Sequence, residues 1–515
     1  MSKHPKGFYL ISAAETFSSF GFYGVRSILT VYMLLVLSFT SDLTSIYYGV
    51  FSGLIYLTPL LGGYISDRYW GNNRAIIIGI LLMSLGAFTI SYSASLYAGP
   101  LNVHNNLIFS AQEIIFLFGL LFMILGHGFF KPNNSTMLVK LYPSKSELVE
   151  AAFTLFYMIL NIGAIFSILI IGFIVGEDPV LFKYGFFLAG IVMLAGLVLF
   201  IALKNKYLVS PTGAPIGGKI QHEEDVENGL AEEDLNNDLL KKYGLQDLDL
   251  ESDDAKAVEV KNKLSKLSNE EKDDILNGDL TRIEKERVYV ILLTILFGIF
   301  FFVAFEQMGI SLTYFARDYV SLNVGNLFEI PPQCYQSLNP IFVAILAPLF
   351  VLLWSYLYKH KLNISIAHKI GIGLIVLAIG FLLMCLPGSM IDSGTSKVSP
   401  IWLIVIYLFI SISELTFIPN CQALLSRLAP RKFLSFLMGG WFGATAIANV
   451  IAGFLSALYP DPSAPVPYVL GFPITGFYEF FMIFAILSAI GGAIALILNK
   501  KIVKWMHWEF NLEES

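Results

Sequence analysis

The chain carries little charge. Only 14% of its 515 residues are Asp, Glu, Lys or Arg, and 56% are hydrophobic. A soluble globular domain carries about 25% charged residues, so an ordinary water-soluble enzyme is excluded. Cysteine is scarcer still. Cys334, Cys385 and Cys421 are too few and too scattered for a disulfide framework. No Cys-x-x-Cys, His-Glu-x-x-His, Walker loop or Gly-x-Gly-x-x-Gly occurs. No nucleophile–base pair stands out either. The expectation is therefore no cofactor, no metal and no enzyme chemistry. A basic patch is missing, which argues against nucleic acid as a partner. The N-terminus, MSKHPKGFYLISAAE, lacks a small-residue cleavage site after a short apolar core. The first apolar stretch is read as retained.

What the chain has is long apolar runs. A helix needs about 20 apolar residues to cross the hydrocarbon core. Twelve stretches qualify: 8–37, 47–68, 74–97, 112–141, 150–175, 184–204, 286–316, 335–358, 366–387, 400–428, 432–458 and 474–499. Each must be helical, because lipid offers nothing to satisfy a bare backbone. The expectation is an all-α membrane protein of twelve transmembrane helices. Lys and Arg set the orientation. Lys183, Arg317 and Lys397 are the only ones in or beside the loops after odd-numbered spans. The opposite side takes fifteen, among them Arg68, Arg74, Lys140, Lys369, Arg427 and Lys500. Both termini are expected in the cytoplasm.

Residues 205–285 break the pattern. They hold 20 acidic and 11 basic residues, a net of −9, whereas the rest of the chain has a net of +3. This acidic insert reads as a disordered linker or short amphipathic helices. A cytoplasmic partner or a regulatory role is the alternative. The insert divides the chain into a six-helix bundle at 1–204 and a second at 286–515. The halves look like weak repeats: PNNSTMLVKLYP at Pro132–Pro143 is echoed by PNCQALLSRLAP at Pro419–Pro430. Two such halves are a known transporter plan, with the substrate site between them near mid-membrane.

Few ionisable residues lie well inside the spans. The clearest are Glu15, Arg26, Lys131, Glu306 and Glu414. A charge at a helix centre costs at least about 2.5–3.5 kcal/mol on insertion scales, so these residues should pair or face a wet cavity. Glu15, Ser19, Phe22 and Arg26 recur at helical spacing and share one face. Two cations in the first half and two carboxylates in the second suit a zwitterion. Arg26 and Lys131 would hold its carboxylate and Glu414 its ammonium. Arg can clamp a carboxylate bidentately, while Lys acts as a point charge.

Several motifs carry a family resemblance. GGYISDRYWGNNR at Gly62–Arg74 looks like the loop between spans 2 and 3 of the major facilitator superfamily. More specific are GHGFFKPN at Gly126–Asn133, FYMILNIGA at Phe156–Ala164, FEQMG at Phe305–Gly309, QSLNP at Gln336–Pro340 and SELTFIP at Ser413–Pro419. Together they resemble the proton-coupled oligopeptide transporter family, over nearly the whole chain outside the insert. The resemblance implies the major facilitator fold around a central cavity, and alternating-access transport of di- and tripeptides. It implies that Arg26 and Lys131 bind the peptide carboxylate and Glu414 the amino terminus. Asn161 and Asn339 would hydrogen-bond the peptide backbone. Tyr23, Tyr56 and Trp441 would line side-chain pockets. Glu306 would pair with Arg26 as an outer gate and take part in proton coupling. Lys131 and Glu414 would approach each other when the inner side closes. Glu15 is retained from the family's ExxER signature, which here reads ETFSS. Ser18 and Ser19 replace its Glu and Arg, and Phe22 replaces a family Tyr. A titrating pair that the family links to proton coupling is thereby lost. Coupling through Glu306 or Glu15 remains open, as do a same-fold carrier of another small solute and a solute-sensing scaffold.

Overall fold

The computed structural model describes residues 4–99, 110–142, 148–209, 278–324, 328–360, 364–430, 433–461, 465–469 and 471–507. Within the insert it also describes 216–217, 236, 239–243, 245, 255–264 and 275. Most of the acidic insert, and Pro143 of the first repeat motif, thus lie outside the described residues.

Each of the twelve apolar stretches is a helix. The first half contains α1 (Lys6–Leu35), α2 (Ser41–Ile65), α3 (Asn72–Ser95), α4 (Ala111–Lys140), α5 (Leu148–Val175) and α6 (Phe182–Tyr207). The second half opens with α7 (Arg282–Phe305), which is prolonged by α8 (Ser311–Tyr319). It continues through α9 (Leu338–Lys359), α10 (Ile366–Asp392), α11 (Ile401–Leu428), α12 (Leu434–Ser456), α13 (Phe477–Ile497) and the short α14 (Asn499–Met506). Among the described residues, eleven helical segments are long and apolar enough to cross a membrane. The twelfth stretch is α1. Its 30 residues reach across at about 1.5 Å per residue, but Ser12, Glu15, Ser18, Ser19 and Arg26 dilute its hydropathy. Those polar positions face protein rather than lipid, as burial of Glu15, Ser18 and Ser19 shows.

Two local features were not legible as apolar runs. Span 2 ends in a π-turn at Ser66–Trp70, closed by Gly71 at φ 75°. Span 7 is interrupted by a 3-10 turn at Glu306–Gly309, which divides α7 from α8. Prolines inside helices are tolerated in membranes where neighbouring groups re-satisfy the freed carbonyls. Pro132 in α4 and Pro419 in α11 occupy matching places in the two repeat motifs.

The two sets of six helices pack alike. In the first, α3 lies against α4 and α6, α1 against α5 and α6, and α2 against α4. In the second, α10 lies against α11 and α13, α7 against α12 and α13, and α9 against α11. The weak repeat in sequence is therefore a repeat of neighbours in space. Contacts between the sets follow the same symmetry, α2 meeting α12 and α5 meeting α9. At the first of these the backbones nearly touch. A Cβ on Gly49 would sit 2.7 Å from Gly453 Cα, and one on Gly453 would sit 2.6 Å from Ser45 O. Only glycine permits that crossing.

Within the insert, Leu239, Leu240 and Leu264 form a small apolar cluster, partly from a short helix at Ala255–Leu264. Lys242 pairs with Glu284 at 3.6 Å, where Thr281 and Glu284 form a capping box that starts α7. Arg287 donates to the carbonyls of Lys241 and Met506. The described end of the insert is thus fastened to the second half.

Candidate functional site

The intramembrane charges fall into three groups. The first joins the halves. Arg26 of α1 pairs with Glu306, at the turn that follows α7, and its Nε donates to Tyr48 OH at 2.8 Å. The break in span 7 places Glu306 here, with its side chain 1% exposed. Further contacts seal the same end. Gln336 Nε2 donates to Ser27 O at 3.2 Å, and Gln333 Nε2 donates to Gly172 O and Gly176 O.

The second group stays within the first half. Lys131 Nζ of α4 lies 2.5 Å from Glu15 Oε1 of α1. Asn134 Nδ2 donates to Glu15 Oε2 at 2.7 Å, and Ser19 Oγ donates to Oε1 at 3.3 Å. Both carboxylate oxygens are therefore satisfied without the arginine that the ExxER pattern would place at Ser19.

The third group is in the second half. Glu414 Oε2 of α11 accepts from Asn339 Nδ2 at 2.8 Å, and Oε1 accepts from Tyr157 OH of α5 at 3.4 Å. Asn339 is itself held by Ser411 Oγ at 3.1 Å. Among the described residues Glu414 has only neutral partners.

A cavity of about 550 Å³ opens in the first half, on α1, α2 and α4, with Phe442 of α12 the one lining residue from the second half. Glu15, Ser18, Ser19, Phe22 and Tyr23 of α1 line one wall. Tyr56 and Tyr64 of α2, and His127 and Lys131 of α4, line another. It extends toward Asp67 and Ser135, the end where α1 begins, and away from the Arg26–Glu306 seal.

The sequence expectations divide on this geometry. Glu15, Tyr23, Tyr56 and Lys131 meet at the cavity. Arg26 shares the helix face of Glu15, Ser19 and Phe22 but reaches across to Glu306. Asn339 and Glu414 touch each other, apart from that wall. Asn161 Nδ2 donates to Tyr157 O in its own helix at 2.9 Å. Trp441 is buried, edge-on to Phe302 at 5.7 Å and packed over Gly298. Four residues at these groups were not singled out from sequence: Tyr48, His127, Asn134 and Tyr157. His127 and Tyr157 sit inside the motifs GHGFFKPN and FYMILNIGA, and a histidine or a tyrosine hydroxyl within a span was the available signal. Asn134 directly follows the first motif. His127 lies tilted against Phe22 with ring centroids 4.8 Å apart, and its Nδ1 has no hydrogen-bond partner among the described residues. Among the described residues, no three His, Cys, Asp or Glu side chains cluster as metal ligands would.

The sequence model of the POT family matches residues 73–469. The chain belongs to that family. It is similar to the dipeptide and tripeptide permease B of Photorhabdus luminescens, 26% identical across 89% of each chain. A permease A of Pectobacterium carotovorum is 27% identical, covering 98% of this chain and 92% of its own. Among solved structures, a peptide transporter POT in complex with sulfate superposes with a TM-score of 0.75 at 24% identity, covering 98% of this chain and 96% of that one. A POT family transporter in complex with 5-aminolevulinic acid gives 0.73 at 23% identity, with 97% of each chain covered. These likenesses agree with the helix packing above. The chain is an integral, multi-pass membrane protein, and this POT family member is a transporter rather than an enzyme.

Proposed function

We propose that this POT family member carries di- and tripeptides across the membrane by alternating access, coupled to protons. Both termini and the insert at 205–285 lie in the cytoplasm, between bundles at 1–204 and 286–515. The observation that carries this reading is the mismatch of partners between the two halves. The first half supplies Lys131, beside the tyrosines. The second supplies Glu414, a carboxylate held by Asn339 and Tyr157 with no cationic partner among the described residues. A peptide ammonium fits that vacancy, and the peptide carboxylate would compete with Glu15 for Lys131. Relatives named as dipeptide and tripeptide permeases support the substrate class.

Arg26 completes the role from the sealed end. While paired with Glu306 it closes the far side. When Glu306 takes a proton, the pair is released and Arg26 becomes available to a peptide carboxylate. Such an exchange replaces the titrating pair lost at Ser18 and Ser19. Tyr23 and Tyr56 face the peptide side chains, and Trp441 lines a side-chain pocket from the second half. Asn161 would reach the peptide backbone once its bond to Tyr157 O opens.

Counterflow tests the reading. Proteoliposomes preloaded with unlabelled dialanine are expected to accumulate labelled dialanine saturably, without a proton gradient. Glu414→Gln and Lys131→Ala are each expected to abolish it in folded protein. Normal peptide handling in both variants would defeat the assignment. A second reading, a small zwitterion or acid other than a peptide, is favoured by the serines at 18 and 19 and by the unpartnered Nδ1 of His127. A ligand-stabilisation screen separates the two, since saturating ligand raises stability by about RT ln(1 + [L]/Kd).

A further inference from the structure

A second concavity, of about 450 Å³, opens far from the transport site, on the outside of the second half. Tyr289, Leu292, Leu293 and Leu296 of α7 form its floor. Leu498, and Lys501, Ile502 and Trp505 of α14, form its wall. Three of the floor residues are half-exposed: Tyr289 at 52%, Leu292 at 49% and Leu296 at 43%. The volume falls within the about 300–1,000 Å³ of ordinary ligand sites.

The charges are arranged around this apolar floor. α14 is amphipathic, with Ile502 and Met506 buried and Lys500, Lys501 and Lys504 exposed. Lys501 and Trp505 sit one turn apart on the face toward the groove, with the ammonium 4.4 Å from the indole centre. Tyr289 meets Trp505 at 5.9 Å, so two aromatic rings with polar tips mark the rim. Lys285 is exposed one turn before Tyr289, on the face that continues through Leu292 and Leu296. Glu286 is already taken by Arg282 at 3.0 Å and His507 at 2.5 Å. Glu284 is taken by Lys242. The carboxylates beside the rim are thus engaged, while its two lysines are not paired to a carboxylate among the described residues.

We propose that this groove is a binding site for one anionic glycerophospholipid of the adjoining leaflet. An acyl chain lies along Leu292, Leu293 and Leu296 beneath α14. The phosphate and its acidic headgroup rest between Lys285 and Lys501, at the level of Tyr289 and Trp505. An apolar trough alone would take any lipid. The lysines at its mouth select the anionic ones, each worth on the order of fivefold in affinity. The lipid would pin α14 against α7, beside the point where Arg287 fastens the insert to Met506 O. The inference concerns a surface remote from the peptide site and does not depend on the substrate assigned there.

Native mass spectrometry of the full-length protein in a neutral detergent tests it, with phosphatidylglycerol and phosphatidylcholine of matched chains in equal amounts. Retained phosphatidylglycerol is expected to exceed phosphatidylcholine by about tenfold or more. The pair Lys285→Ala and Lys501→Ala should remove most of that excess. The pair Lys500→Ala and Lys504→Ala removes the same charge outside the groove and should leave most of it. Leu293→Trp, which fills the trough, should lower retention of both lipids. Should that variant fail to fold, the exposed lysine pairs still decide. Equal retention of the two lipids by the unaltered protein would overturn the proposal. So would an equal loss of selectivity from both lysine pairs, which would reveal a diffuse field instead of a site.

Discussion

Arg26 and Lys131 are both cations of the first half, and both are paired with a glutamate, yet the pairs have different consequences. Arg26 reaches across the interface to Glu306, so its bond holds the two halves together at the sealed end. Lys131 pairs with Glu15 inside its own half, so its bond can break without moving either bundle. On the proposed function, the pair across the interface gates access and the pair within one half prepares the substrate site. Their supports differ too. Among the described residues Glu306 Oε1 has no hydrogen-bond partner, so Glu306 depends on Arg26, whereas Glu15 keeps Asn134 and Ser19 when Lys131 leaves.

Breaking the interface pair should therefore have the largest effect. Arg26→Ala leaves a buried carboxylate without its cation, and loss of one partner of a buried pair costs about 3–5 kcal/mol. Thermal unfolding in detergent should show the loss, and a cysteine placed at Ser27 should label faster from the far side. Unchanged labelling would mean that Arg26 does not hold that end shut. The glycine crossing supports the same seal from α2 and α12. Gly453→Leu should raise the same labelling while leaving dialanine binding within about threefold, since the crossing lies outside the cavity. Lys131→Ala should cost less stability, about 1–3 kcal/mol, because Glu15 retains two donors, yet it should eliminate counterflow. Equal destabilisation by Arg26→Ala and Lys131→Ala would erase the distinction between the pairs. The smallest effect belongs to Asn134→Leu, which removes one donor from Glu15 and should cost about 1 kcal/mol. It should lower proton-driven uptake more than counterflow if Glu15 takes part in coupling.

Much of this was readable from the sequence, and the boundary of legibility is physical. Apolar runs reported the helices because lipid forces one solution on the backbone. Even α1, whose polar face dilutes its hydropathy, was read as one of these apolar runs. The intramembrane ions stood out because each is costly there. Partner choice was less accessible. Arg26 with Glu306 could be expected from the family resemblance. That Asn134 and Ser19 would complete Glu15 depends on how α1 and α4 cross, which no periodicity encodes. Tyr157 reaches Glu414 only because α5 faces α11 across the interface. Trp441 was expected at a side-chain pocket from the family resemblance, and its packing against Phe302 and Gly298 was not readable from the sequence. The trough under α14 was invisible for a similar reason. Its floor and wall come from helices about 200 residues apart in the chain, and only the fold brings Tyr289 to Trp505.

The central claim is that one half of the molecule reads the carboxylate of a zwitterion and the other reads its ammonium. Competition in dialanine counterflow tests it most directly, with dialanine, N-acetyl-dialanine and dialanine amide as unlabelled competitors. Both blocked peptides are expected to compete at least about tenfold more weakly than dialanine, since each forfeits one of the two charge pairings. Equal competition by dialanine and N-acetyl-dialanine in the unaltered protein would contradict the account, because Glu414 would then be reading nothing.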